Sequence, residues 1–191
     1  MQVSPINPTR SSYRRIHHPI QKHAVVFLET AAETNGEHSL MEVELGNNGG
    51  AVLHYHHGFS ETISCIEGEL EVIVNHKVQV LRAGQSVTIP PKVSHTAYNR
   101  TDDICRCVLE IRPGHRGFEQ ALQITYGLVN DGLCDKRGLP SDRLAMAWLF
   151  TLSDSTAAGW AKFFKFFLRK QAKKAVKKGI DQYLISRYVT F

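Results

Sequence analysis

Between Ala24 and Ile111 the chain is a succession of short β-type runs broken by turn residues, and this pattern restricts the fold more than any other feature. The runs AVVFLE, SLMEVEL, AVLHYHH, ETISCIE, ELEVIV, KVQVL, QSVTI and ICRCVLEI are separated by Asn, Gly, Pro and Asp. Asn35-Gly36, the stretch Gly46 to Gly50, and Pro90-Pro91 are examples. Many short strands with such turns predict a sandwich or barrel of antiparallel strands. No helical stretch lies between them, which removes the parallel α/β alternative.

After Arg112-Pro113-Gly114 the hydrophobic period becomes helical. Gly117 to Asn130 places Phe118, Leu122, Ile124, Tyr126 and Leu128 in a helix that Gly132 stops. Ser141 is expected to cap a second helix over Asp142 to Leu152, and Ser155 a third over Ala157 to Lys178, ended by Gly179. A short fourth covers Asp181 to Tyr188. The expected layout is an N-terminal arm with little structure of its own (1–22), a β-barrel (23–115) and a helical extension (116–191).

Charge follows the same division. Residues 1–115 carry 10 basic and 12 acidic side chains, whereas residues 116–191 carry 13 and 6. A near-neutral body thus precedes a tail suited to an anionic partner. The opening MQVSPINPTRSSYRRIHHPIQKH lacks the apolar run of a secretory leader, and no stretch of about eighteen apolar residues exists to span a membrane. Cys65, Cys105, Cys107 and Cys134 have no disulfide-framework spacing. A reducing cytoplasm is the expected location, with membrane-peripheral attachment as the variant.

The chemistry concentrates in two segments. In His54-Tyr55-His56-His57-Gly58-Phe59-Ser60-Glu61, His54 and His56 stand at i and i+2, which in a strand is one face. Glu61 follows a short turn and can re-enter that face from the neighbouring strand. The second segment, from Gly84 to Asn99, supplies His95 at the start of a strand. Three imidazoles and a carboxylate form a mixed N/O donor set suited to one divalent Mn, Fe, Co, Ni or Zn ion. The competing reading is a polar barrel interior without metal, whose buried groups would each need a hydrogen-bond partner.

The pattern H-x-H-x4-E-x6-G followed by G-x5-P-x4-H-x3-N resembles the paired motifs of the cupin superfamily, on His54, His56, Glu61, Gly68, Gly84, Pro90, His95 and Asn99. The resemblance implies a mainly β fold: a single cupin jelly-roll barrel, or double-stranded β-helix, followed by three or four C-terminal helices. It implies that His54, His56, Glu61 and His95 bind the metal, and that a homodimer forms. Two positions depart from the motif: Lys92 stands where a glycine is usual, and the opening glycine is displaced to Gly49 or Gly50. The whole chain resembles small bacterial cupins with a helical extension, a subgroup that brings no activity with it.

Other residues have plainer readings. His57 alternates with the ligand pair and is expected at the rim or in solvent; His17, His18, His23, His38, His76 and His115 read as surface residues. Cys105 and Cys107 share a strand face, as packing thiols or as a soft metal or redox pair. Cys65 is expected to face the metal cavity. Phe59, Tyr98 and Arg106 are near enough in sequence to line or flank it, but the sequence leaves their directions open and they are not ranked as site residues. In the 157–178 helix Trp160, Phe163, Phe164, Phe167 and Leu168 fall on one side, and Lys162, Lys165, Arg169, Lys173 and Lys177 on the other. Packing on the barrel or a partner subunit is weighed against contact with an anionic membrane surface, and nucleic acid is not an expected partner.

Three functions follow. The first is a metal-dependent enzyme on a small molecule, in the manner of a dioxygenase, isomerase or decarboxylase. The second is a non-catalytic module that binds a small molecule in the barrel. The third is a peripheral membrane role for the tail.

Overall fold

The computed structural model describes residues 14–157 and 165–191. Strands β1 (Arg15–His18), β2 (His23–Glu29), β3 (Ser39–Leu45), β5 (Ser60–Glu67), β8 (Ser86–Ile89) and β10 (Cys105–Arg112) build one sheet in the order β1-β2-β3-β10-β5-β8. The facing sheet has the order β11-β4-β9-β6-β7, from β4 (His54–His56), β6 (Glu69–Val74), β7 (Lys77–Arg82), β9 (His95–Tyr98) and β11 (Ser155–Ala157). All the pairings are antiparallel, as in a jelly roll. Helices α1 (Arg116–Asn130), α2 (Arg143–Leu152), α3 (Lys165–Lys177) and α4 (Ile180–Tyr188) follow. The expected fold class, a mainly β jelly-roll barrel with C-terminal helices, is the one observed.

Alternation places the core. Glu61, Ile63 and Cys65 are the buried row of β5, and they lie in register with Ile111, Leu109 and Cys107 of β10. With Leu45, Leu70, Val72, Leu81, Ile89 and Cys105 they fill the barrel, apart from Glu61 and Ile111 at one end. A second cluster joins the barrel to α1 through Phe27, Met41, Phe59, Ile111, Phe118 and Tyr126. The helices share a third, around Ile124, Leu128, Trp148 and Leu149. A buried carboxylate fastens α1 down: Glu119 accepts hydrogen bonds from the Ala31 amide and the Ser39 hydroxyl, each at 2.6 Å.

Three local expectations are corrected. Arg15–His18, expected to be unstructured, is an edge strand on β2. Asp142, not Ser141, caps α2, its carboxylate accepting from the amides of Leu144 and Ala145 at 2.7 and 2.8 Å. An anion serves that position better than a hydroxyl, because it also meets the positive end of the helix dipole. Ser155 is not a helix cap: Ser155–Ala157 is strand β11, paired with the otherwise open edge of β4. Three residues are too few for an alternating pattern to declare a strand.

Of the expected 157–178 helix, residues 158–164, with Trp160, Lys162, Phe163 and Phe164, lie outside the described residues. The described part, α3, buries Ala172 and Ala175 in the helical cluster. Its aromatic residues face outward, Phe166 at 83% and Phe167 at 54% exposure. No helix among the described residues is long and apolar enough to cross a membrane.

Candidate metal centre and its cavity

β4 directs His54 and His56 to the same side, and β9 meets β4 at the single register pair His54↔His95. The third imidazole therefore sits beside the first, ring centroids 4.4 Å apart. Glu61 arrives from the facing sheet, on the buried row of β5. One donor atom from each of these four residues lies within 4.8 Å of the others. The two sequence segments thus converge at one end of the barrel, between the sheets.

Hydrogen bonds on the far side of each ring decide which nitrogen faces inward. His54 Nδ1 lies 2.7 Å from the Val52 carbonyl and His95 Nδ1 2.9 Å from the Val93 carbonyl. A carbonyl only accepts, so both Nδ1 atoms carry the proton and both Nε2 atoms present a lone pair. His56 Nδ1 lies 3.2 Å from Ser155 Oγ, whose own hydroxyl reaches the Ser153 carbonyl at 3.3 Å. That chain gives His56 the same tautomer. Outer partners of this kind hold metal-binding histidines in a fixed orientation.

The inner side is then crowded with electron pairs. His54 Nε2 is 3.0 Å from His56 Nε2, and Glu61 Oε2 is 3.2 Å from His56 Nε2 and 3.4 Å from His95 Nε2. The last approach lacks hydrogen-bond geometry, which leaves His95 Nε2 buried without a hydrogen-bond partner. Lone pairs and a carboxylate converging this closely require positive charge between them, from protons or from a cation. The donor set fits a divalent first-row ion.

Without an ion, the titrations follow the same logic. Burial, then the neighbouring His95 and His56, pushes His54 down to about 3. Burial alone would raise Glu61, but its contacts with His56 and His95 outweigh burial and hold the carboxyl well below the usual range. Burial lowers His95, and Glu61 more than reverses this, leaving it above its ordinary value.

The extension completes the surroundings. Beside Ser155, Thr156 Oγ1 lies 3.0 Å from His57 Nε2, so His57 is tied to β11 rather than free in solvent. Asp154 accepts from the amides of His57 and Gly58 at 3.0 and 2.7 Å, fixing the turn between His56 and Glu61. Phe59 is buried and stacks on His56 at 4.3 Å. Lys92, at the departure from the motif, adopts φ 67° and donates its amide to the His56 carbonyl at 2.6 Å. The glycine-type turn before His95 survives without a glycine. Tyr98 and Arg106 turn elsewhere, Tyr98 under the Arg100 guanidinium and Arg106 to an ion pair with Glu67.

A cavity of about 270 Å³ opens from the centre, with His54 and Glu61 on its wall. Barrel residues such as Val43, Ile63 and Leu109 face Phe118 and Leu122 of α1 and Met146 and Phe150 of α2 across it. The lining is mostly apolar. Cys107 reaches it, whereas Cys65, expected there, is buried in the barrel core with Cys105. The three core thiols are free, and burial raises those of Cys105 and Cys107, to about 12 for Cys105.

His18 and His23 overturn the surface reading most clearly, with 1% and 9% exposure on the cavity wall. β1 pairs them directly, His18↔His23, and Tyr126 of α1 packs across both rings. Isolated histidines in a polar segment gave no hint of this, because the covering residue lies about a hundred positions further on.

Residues 40–111 match the family model described as the Cupin domain. The barrel is a cupin domain. Among solved structures, the chain is similar to an RmlC-like cupin from Shewanella frigidimarina NCIMB 400, with 22% identity, TM-score 0.49, and 62% of this chain and 99% of that one covered. It is similar to a sugar phosphate isomerase of the cupin superfamily from Silicibacter pomeroyi DSS-3, with 16% identity, TM-score 0.49, and coverage of 57% and 75%. A predicted oxalate decarboxylase from Thermotoga maritima shares 21% identity with TM-score 0.45, covering 48% and 80%. The comparison with curated proteins found no match.

Proposed function

We propose that His54, His56, Glu61 and His95 hold one divalent first-row transition ion, and that the cupin domain converts a mainly apolar small molecule at that ion. The observation that carries this reading is the convergence of three imidazole lone pairs and a carboxylate, two of whose bearers, His54 and Glu61, also line the cavity. When bound, such an ion polarises an oxygen-bearing group or supports redox chemistry on it. The protein's own part is to hold the donors through Val52, Val93 and Ser155, and to exclude water with the apolar lining. The runner-up is a binding module without turnover, supported by the apolar character of the cavity wall around His54 and Glu61. Conversion in proportion to metal occupancy separates it from saturable binding alone.

The test is elemental analysis of protein made without chelators, beside His54→Ala and His95→Ala. Near-stoichiometric metal in the wild type, lost in both variants, is expected. No metal in the wild type after reconstitution with Mn, Fe, Co, Ni and Zn would overturn the reading.

We also propose that α3 attaches the protein to an anionic lipid surface. Phe166 and Phe167 are exposed on a helix whose Arg169, Lys170, Lys173, Lys174 and Lys177 are exposed as well. Apolar rings beside lysines suit the boundary between acyl chains and anionic headgroups.

A further inference from the structure

We propose that the C-terminal extension turns the cavity beside the metal centre into a slot for one hydrocarbon chain, and that its ligand is a straight-chain carboxylate of roughly eight to ten carbons. The carboxylate head lies at the ion, and the tail runs between the barrel and helices α1 and α2. The placing of the head rests on the function proposed above; the slot itself needs no ion.

The barrel wall of the slot follows the strands in register. Glu61 stands level with Ile111; the next inward level holds Ile63 and Leu109, and the one after it Cys107, Val43 and Val25. Four residues of strand separate the first of these levels from the last, about 13 Å. Leu45 and His23, paired and both buried, form the level beyond. Across from this wall α1 presents Phe118, Leu122 and Tyr126, spaced four apart and hence on one helix face, over about 12 Å. Met146 and Phe150 of α2 join them at the same spacing.

The apolar side chains are within reach of a ligand. Val43 and Leu109 belong to the inward rows of β3 and β10, yet both are half-buried, whereas their row neighbours Met41, Leu45, Cys107 and Ile111 are buried. The surface those two leave accessible faces the cavity. Native interiors hold few voids larger than a water molecule, but this one, at about 270 Å³, has room for roughly nine groups of that size. Nine such groups spread over about 13 Å are one chain wide. An apolar cavity takes an apolar occupant in preference to water.

The head follows from charge. No Lys, Arg or Asp is among the described residues that line the cavity, so an anion finds its counter-charge at the metal end. A divalent ion held by three neutral imidazoles and the Glu61 carboxylate keeps one net positive charge, which a single carboxylate matches. Such a ligand meets the ion with its oxygens and the sheet and helix faces with its methylenes.

The experiment is a titration of the full chain, metal-free and zinc-loaded, with n-alkanoates and 1-alkanols from butyl to tetradecyl, below their micelle concentrations. Binding is followed on the methyl resonances of Val43, Leu109, Leu122 and Met146, which separates the cavity from the aromatic residues of α3. In both forms alkanol affinity should rise about three- to fourfold per added methylene and level off at roughly eight to ten carbons. With zinc, alkanoates should bind about tenfold or more tighter than alkanols of equal length, an advantage absent without the metal. Leu122→Trp and Met146→Trp fill the slot and should move the levelling-off to shorter chains. Should either variant fail to fold, the wild-type length dependence and resonances decide. No binding, affinity indifferent to chain length, or binding that leaves these methyl signals unmoved would overturn the slot. Alkanoates bound no better than alkanols by the zinc-loaded chain would overturn the carboxylate head. A chain that takes up zinc but shows no length dependence refutes the slot alone. One that shows the length dependence but takes up no metal refutes the metal reading, and the head with it, and upholds the slot.

Discussion

Ser155 Oγ lies 3.2 Å from His56 Nδ1, joining residues 99 positions apart. The contact exists because β11, part of the C-terminal extension, pairs with β4 and brings Ser155 level with His56. The extension therefore supplies an outer partner of the candidate metal centre, and the cupin motif by itself does not contain every residue that shapes it. Loss of such partners typically costs about 10- to 100-fold in metal affinity. Ser155→Ala should weaken metal binding by that factor and leave the thermal unfolding of the metal-free protein within about 2 °C. Unchanged affinity in a competition titration against a chelator would show that Phe59 and the backbone orient His56 unaided.

Asp154 holds the next turn. Its carboxylate takes the amides of His57 and Gly58, and its own φ of 52° is one that Asp and Asn adopt more readily than Ala. Asp154→Ala leaves two backbone donors without their acceptor and strains the backbone, for an expected loss of about 2–3 kcal/mol in urea unfolding. Asp154→Asn retains an acceptor oxygen and the backbone preference, and should lose less.

Lys92 at φ 67° occupies a left-handed turn where a glycine would be unstrained. Its amide bonds to the His56 carbonyl, so the turn also spaces the two histidine segments. Lys92→Gly should relieve strain of about 1 kcal/mol while adding entropy to the unfolded chain, giving stability equal to or up to about 1 kcal/mol above wild type. A loss of more than about 1 kcal/mol would mean that the lysine side chain contributes contacts beyond its backbone.

The barrel was legible because its strands announce themselves twice, by alternation and by turn residues, and the donor set because i, i+2 spacing in a strand has one geometric meaning. Ser155, Asp154 and Thr156 were not legible. Their segment is three residues long after a helix, and its partner strand stands about a hundred positions earlier. The same distance concealed His18 and His23, whose burial depends on Tyr126 packing over them. Cys65 and Cys107 exchanged expected places because both are buried on facing positions of neighbouring strands, and only the curvature of the barrel decides which reaches the cavity.

The histidines on the cavity wall should mark the pH dependence of stability. His23 is held near 3 in the folded protein, against about 6.5 unfolded, by burial first and by His18 next. A depressed imidazole means that the unfolded chain binds the proton more readily, so stability falls as pH drops below about 6.5 and stops falling from this source near 3. From pH 7 to 5 this one group removes about 2 kcal/mol. In His23→Phe, urea unfolding at the two pH values should show a difference smaller by that amount. An identical acid sensitivity would mean that His23 is already charged or solvated in the folded protein.

Attachment through α3 is the last expectation, and its sign can be read from two substitutions. The face that packs on α2 is made of Ala172 and Ala175, so Phe166 and Phe167 are free of the core and their replacement should leave the fold intact. Each exposed basic residue near an anionic surface contributes about 1 kcal/mol, and that attraction fades with salt, whereas burial of the two rings does not. Wild type should co-sediment with phosphatidylserine-containing vesicles and not with neutral ones. Phe166→Glu/Phe167→Glu should lose about tenfold or more of that affinity, since it removes two apolar anchors and adds two repelled charges. Equal sedimentation of the two forms would reduce the contact to electrostatics alone. Absence of sedimentation by the wild type would remove the lipid surface from the functions of this chain.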